Sequence, residues 1–153
     1  MEWKSKMSHS LTKIWIHGIF GTKNREALIK STFENELHIH LKNKLENELE
    51  CTVRTINGNK NHIHILFLLN PNYSIREVFK TIKGESSHWI NQNDFLHTKF
   101  SWQIGYGAFS VSESQLKKVE LYIKNQKEHH KQMTFEEEYE KFILKYKVKE
   151  GNR

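Results

Sequence analysis

Asn61-His62-Ile63-His64-Ile65-Leu66-Phe67-Leu68-Leu69, closed by Asn70-Pro71-Asn72, is the stretch on which the reading of this chain depends. A short apolar run ended by residues that cannot continue it predicts a buried strand. Side chains alternate along a strand, so His62 and His64 share a face, roughly 6.5–7 Å apart along the chain direction. Two imidazoles at that spacing can share one metal ion.

The rest of the chain sets bounds. At 153 residues it is long enough for one domain with a real core. Lys and Arg total 24 against 18 acidic residues, giving +6 and a pI near 9.3. That balance favours a polyanionic partner, nucleic acid above all. A single cysteine, Cys51, excludes an intrachain disulfide and a cysteine metal cluster and fits a reducing compartment. Met1 to Lys6 lacks the apolar core of a signal peptide, and no segment approaches the ~18 apolar residues of a membrane span. The expectation is a soluble cytoplasmic protein.

Working outward from the His-x-His strand, Leu11 to Phe20 alternates as a central strand, with His17 on the face of Trp15 and read as a packed, hydrogen-bonded histidine. Gly21-Thr22-Lys23-Asn24-Arg25 is a basic turn, either solvated or in contact with phosphate. Ser31 and Glu34 form a capping-box pattern before Phe33, Leu37, Leu41, Leu45 and Leu49, a core-facing stripe; His38 and His40 fall on different faces of that helix. Cys51 to Ile56 is β-branched, and Asn57-Gly58-Asn59-Lys60 reads as a hairpin turn into the His62 strand.

A second capping box, Ser74 with Glu77, opens a helix over about Ile75 to Ile90 that carries Lys80 and Lys83. Phe100 to Ile104 and Ala108 to Val111 read as strands around Gly105-Tyr106-Gly107. Ser112 with Gln115 opens a helix to about His130. A last helix over about 134–148 starts at Thr134, capped with Glu137. The first six elements match a split βαββαβ plan, ferredoxin-like: an α+β fold whose antiparallel sheet has helices on one face. The C-terminal helices are additions, and such a pair often docks on a second subunit. Residues 1–153 form one domain on this reading.

Taken alone, histidines at period two on a strand are commonly structural, and a tyrosine at a helix edge is ordinarily a packing residue. What surrounds them narrows the chemistry. A His-x-His-x-Asp zinc hydrolase needs aspartate at 66, and a histidine-triad hydrolase needs histidine there; the residue is Leu66. Imidazole and oxygen ligands with open positions suit Mg²⁺ or Mn²⁺ acting on a phosphate. Tyr122 and Gln126, four residues apart, stack on one helix face. An amide oxygen there can serve as a third ligand and would bring the Tyr122 phenol beside the ion, where it can be activated for attack.

With these residues in hand the chain resembles the single-tyrosine transposases of small bacterial and archaeal insertion sequences, in the His-hydrophobic-His endonuclease superfamily. The resemblance rests on His62-Ile63-His64-Ile65-Leu66, Lys83-Gly84-Glu85-Ser86-Ser87 and Trp102-Gln103-Ile104-Gly105-Tyr106-Gly107-Ala108-Phe109-Ser110-Val111-Ser112. Tyr122-Ile123-Lys124-Asn125-Gln126 and His129-His130 complete it. It implies cleavage and rejoining of single-stranded DNA at hairpin-bearing ends, through a 5′-phosphotyrosine and a divalent metal. It implies His62, His64 and Gln126 as metal ligands and Tyr122 as the nucleophile. It further implies a homodimer with composite sites, the His pair of one subunit meeting the tyrosine helix of the other. Lys23, Arg25 and Lys83 are candidate DNA contacts. Rejoining from a phosphotyrosine needs no nucleotide cofactor, and the chain has no P-loop. A related replication initiator or relaxase would need extra domains. A non-catalytic RNA-binding module would need a basic-aromatic signature that the Ile63–Leu69 strand lacks.

Overall fold

The computed structural model describes residues 10–146. Its elements are β1 (Trp15–Gly21), α1 (Glu34–Asn43), β2 (Thr52–Asn59), β3 (His62–Leu68), α2 (Ile75–Gln92), β4 (Gly107–Val111), α3 (Leu116–Lys124), α4 (Gln126–His129) and α5 (Phe135–Lys145). The four strands form one antiparallel sheet in the order β2-β3-β1-β4. This is the expected α+β, split βαββαβ arrangement, with the His-x-His strand beside the centre.

The sheet is covered twice. On one face Ile16, Phe20, Ile63, Ile65 and Phe67 meet Leu37, Leu41, Val78, Phe79 and Ile82 of α1 and α2 in the main core. Full burial of each such side chain contributes ~1.5–3 kcal/mol before entropy is counted. On the other face Trp15, Leu66 and Val111 meet Leu116 and Ile123 of α3, and Ile19 and Phe109 meet Phe135 of α5. All seven residues of β1 are buried for this reason. The two helices of the split plan share one face, as expected; what differs is the C-terminal set, since α3, α4 and α5 dock on the other face of their own sheet, over the histidines.

Local chemistry explains several boundaries. The stripe Phe33, Leu37, Leu41, Leu45 and Leu49 is wholly buried, although steps of four outrun an α turn of about 3.6 residues. A wider π-helical turn at Lys44–Glu48 brings the end of the stripe back to the core. Gly18 of β1 faces α2 so closely that a Cβ there would lie 2.4 Å from Phe79 Cζ. Only glycine admits that approach. Ser74 and Glu77 make their reciprocal capping box, and Thr134 accepts from the Glu137 amide at the start of α5.

Other sequence expectations shift. The first strand begins at Trp15, since Leu11 and Ile14 are exposed. The β2–β3 turn is Lys60-Asn61, because Asn57–Asn59 remain paired with His62–His64. Phe100 to Ile104 is not a strand of the sheet; it runs past the end of β1, with an isolated bridge Thr22↔Trp102 and a bond from the Gln103 amide to the Gly21 carbonyl. Its Phe100 and Trp102 point into the core, which is why the sequence alternates like a strand. The caps expected at Ser31 and Ser112 do not form: Phe33 takes the N-cap position of α1, and the Ser112 hydroxyl accepts no capping bond from the turn that follows it. The helix expected over 112–130 starts as a 3₁₀ turn and breaks at Asn125. The far end of the last helix, 147–148, lies outside the described residues.

Candidate metal and nucleophile site

The site lies on the face of β3 that α3, α4 and α5 cover. His62 and His64 are both fully buried there, their ring centroids 5.1 Å apart. Asn57, opposite His64 in β2, gives its side-chain amide to the carbonyls of Ile123 and Lys124 at 3.1 and 3.0 Å. Those bonds satisfy the last carbonyls of α3 and fix the break at Asn125. The chain turns there and delivers Gln126 into the interior, while Tyr122, one turn earlier, stays half-buried.

Gln126 Oε1 then lies 2.8 Å from His62 Nε2 and 3.1 Å from His130 Nε2. Its Nε2 donates to Glu138 Oε2 at 2.9 Å, which sets the orientation of the amide. The other carboxylate oxygen, Oε1 of Glu138, is 3.1 Å from His64 Nε2, 3.2 Å from His130 Nε2 and 3.6 Å from His62 Nε2. The Tyr122 hydroxyl donates to Glu138 Oε2. Four sequence candidates, His62, His64, Tyr122 and Gln126, thus meet in one cluster within one chain. The resemblance implied that the tyrosine helix would come from a partner; here it comes from the same polypeptide.

The hydrogen accounting of His62 is informative. Its Nδ1 faces Asn61 Oδ1 at 2.8 Å, and its Nε2 faces the oxygen of Gln126. A neutral imidazole carries one N–H and cannot satisfy two acceptors. Burial, then the neighbouring His64, hold the His62 pKa at about 3, so the ring is neutral near pH 7. With the proton on Nδ1 towards Asn61, Nε2 presents a lone pair to the Gln126 oxygen, an arrangement that a shared cation would satisfy. The donor set of imidazole nitrogen, amide oxygen and carboxylate fits a divalent ion. The ligand atoms of His62, His64 and Glu138 all lie within 4.8 Å of one another.

The surroundings orient these groups. His17 Nε2 is 2.8 Å from His64 Nδ1. With a cation on His64 Nε2, Nδ1 keeps its proton and donates to His17, the usual outer support of a metal-binding histidine. Burial, then His64, push the His17 pKa well below its ordinary value. Burial likewise holds His64 at about 3 and lifts the Glu138 carboxyl to about 7. Tyr122 stacks on His129 at 4.6 Å and meets the edge of Phe142. Tyr122 also lines a groove of about 630 Å³, together with Lys118, Lys141 and Lys145.

The three candidate DNA contacts lie elsewhere. Lys23 and Arg25 form an exposed 3₁₀ turn, and Arg25 pairs with Glu136 of α5 at 2.8 Å. Lys83 is on α2, across the sheet, and donates to the carbonyls of Gln103 and Gly105 at 2.8 and 2.7 Å. Sequence reasoning missed Glu138. Its signal was a carboxylate on the apolar stripe of the last helix, three residues after Phe135 and four before Phe142. An acidic residue at such a position is costly unless it is paired.

Fold and site together define a class: a His-hydrophobic-His sheet protein with a helix-borne tyrosine beside the histidines. Residues 10–126 match the family described as transposase, IS200-like, and the chain belongs to it. Two solved structures share the fold. One is a candidate transposase from Deinococcus radiodurans R1, with a TM-score of 0.61 and 22% identity over 76% of this chain and 93% of that one. The other is a REP-associated tyrosine transposase bound to a REP hairpin, with a TM-score of 0.62 and 14% identity over 80% of this chain and 71% of that one. No curated protein sequence matches the chain.

Proposed function

We propose that this transposase cuts and rejoins single-stranded DNA, with Tyr122 as the nucleophile and His62, His64 and Gln126 holding a Mg²⁺ or Mn²⁺ ion. The observation that carries this reading is the Tyr122 hydroxyl bonded into the same buried cluster as the His pair and the Gln126 amide. Tyr122 Oη attacks the phosphorus and loses its proton; the P–O3′ bond breaks, and the 3′ oxygen takes up a proton to leave as a hydroxyl. The 5′ end stays on Tyr122, conserving the bond energy for rejoining. When bound, the ion supplies Lewis-acid polarisation of the scissile phosphate. Lys118, Lys141 and Lys145 along the groove suit the flanking backbone phosphates.

The substrate we infer is a strand with a subterminal hairpin, in line with the hairpin bound to the REP-associated relative. The dimer belongs to the same proposal: with the groups of one chain already together, each copy would bring a whole site, one for each end of a mobile element. Incubation with single-stranded hairpin DNA and Mn²⁺, followed by a denaturing gel, tests the chemistry. Wild type should form a covalent adduct and Tyr122→Phe none. An adduct of equal yield in the variant would remove Tyr122 from the role.

A further inference from the structure

We propose that Glu138, carried by α5, is a ligand of the same cation as His62, His64 and Gln126, and that its second oxygen ties that cation to the nucleophile. This rests on the reading of a metal-assisted tyrosine enzyme given above. It adds a residue that lies twelve positions beyond the last one in the family match, residues 10–126.

The division of labour between the two carboxylate oxygens carries the inference. Oε1 is the atom on which the ring nitrogens of His62, His64 and His130 converge, at 3.6, 3.1 and 3.2 Å. Oε2 takes the Gln126 amide and the Tyr122 hydroxyl instead. One oxygen thus faces the metal-binding atoms, and the other faces the group that must reach the phosphorus. Glu138 is only 2% exposed. Among the described residues its ion-pair partners are imidazoles, not Lys or Arg. A dry carboxylate without a permanent cation is unfavourable, and a divalent ion on Oε1 removes that penalty.

The helix is built to hold this carboxylate still. Phe135 stacks on the His62 ring at 4.3 Å and lies over Gly21, where a Cβ would come 2.6 Å from Phe135 Cε2. Phe142, on the other side of Glu138, meets His17 and Tyr122 edge-on at 5.3 and 5.7 Å. Thr134 caps the first turn. Two aromatic anchors and a cap are more than a solvent-facing glutamate would need.

The test uses the full chain and the ion alone. Mn²⁺ is titrated calorimetrically into wild type, Glu138→Gln, Glu138→Cys and His64→Ala, with circular dichroism as the folding check. Glu138→Gln keeps the shape and should weaken Mn²⁺ binding about tenfold or more. Glu138→Cys exchanges the carboxylate for a softer thiolate, so its affinity for Cd²⁺ relative to Mn²⁺ should rise above that of wild type. If His64→Ala loses Mn²⁺ while Glu138→Gln binds as tightly as wild type, or tighter, the ligand role is overturned and the metal site itself stands. If His64→Ala also binds as wild type does, the metal reading fails with it.

Discussion

His17 shows how a residue read as packing acquires a second task. It sits on β1, two strand positions from the register partner of His64, and its Nε2 meets His64 Nδ1 at 2.8 Å. On the proposed reading His64 would present Nε2 to the cation, and His17 would hold the proton on its Nδ1. His17→Phe keeps the bulk but not the acceptor. It should weaken Mn²⁺ binding by about tenfold while leaving the circular dichroism spectrum intact; unchanged affinity in calorimetry would return His17 to a packing role. Gln126 is read the same way. Gln126→Ala removes Oε1 from His62 and the donor from Glu138 Oε2, so metal affinity should fall and the adduct with it. The His pair, Tyr122 and Gln126 were all legible as types at spacings. Glu138 was not, because nothing within the last helix says that its apolar stripe will lie across the strand of residues 62–68.

At the scale of elements, the break between α3 and α4 and the docking of α5 decide where the chemistry falls. Ser112 to His130 carries a continuous helical pattern, yet the Asn57 amide takes the carbonyls of Ile123 and Lys124 and ends α3 there. Lys127 reinforces the joint by donating to the Gly58 carbonyl at 3.0 Å and pairing with Glu34 at 2.9 Å. These partners lie 66 to 93 residues upstream, beyond the reach of a local pattern. The start of α5, in contrast, was readable, and its Thr134 accepts from Glu137 as expected. Thr134→Ala should cost about 1 kcal/mol of stability by the loss of that cap. Chemical denaturation measures it, and a change near zero would mean that α5 is held by Phe135 and Ile143 alone. Against α2, Gly18→Val should be severe, because its side chain would occupy the space of the Phe79 ring. Overpacking of this kind costs roughly 1–3 kcal/mol or more.

For the whole molecule, the buried histidines set how the metal-free protein responds to pH. His17, His62 and His64 bind protons less readily folded than unfolded, each with burial as the first cause. Their contribution to stability is present above about pH 6.5, the ordinary imidazole value, and is lost as pH falls below it. Glu138 runs the other way: its carboxyl is raised to about 7, so its contribution is present in acid and is lost as pH rises through 7. The groups facing them are His129 and His130 near α4, Tyr122 on α3 and Lys145 on α5. Three imidazoles oppose one carboxyl, so the midpoint of thermal unfolding without metal should be lower at pH 5 than at pH 7. In Glu138→Gln the drop should steepen, since the opposing group is gone. A flat profile in both proteins would contradict the burial of these rings. Because the site closes within one chain, mixing Tyr122→Phe with His64→Ala protein should not restore cleavage; recovery in a gel assay would show that the helices exchange between copies.

What the sequence alone determined is what repeats locally. Strand alternation at 62–69, the apolar stripes of the helices, two of the capping patterns and the spacing of Tyr122 and Gln126 report the neighbours along one element, and from them come the α+β plan and four of the site's side chains. Tertiary packing decided the rest: that α3 to α5 cover the histidine face of their own sheet, that Asn57 breaks a helix in two, and that Phe100 to Trp102 fills the core without joining the sheet. It also decided that a glutamate on the last helix meets the imidazoles of β3. Those outcomes depend on contacts between residues tens of positions apart, where no period in the sequence carries the information and only the burial of two sheet faces, with every buried polar atom to be satisfied, selects the arrangement.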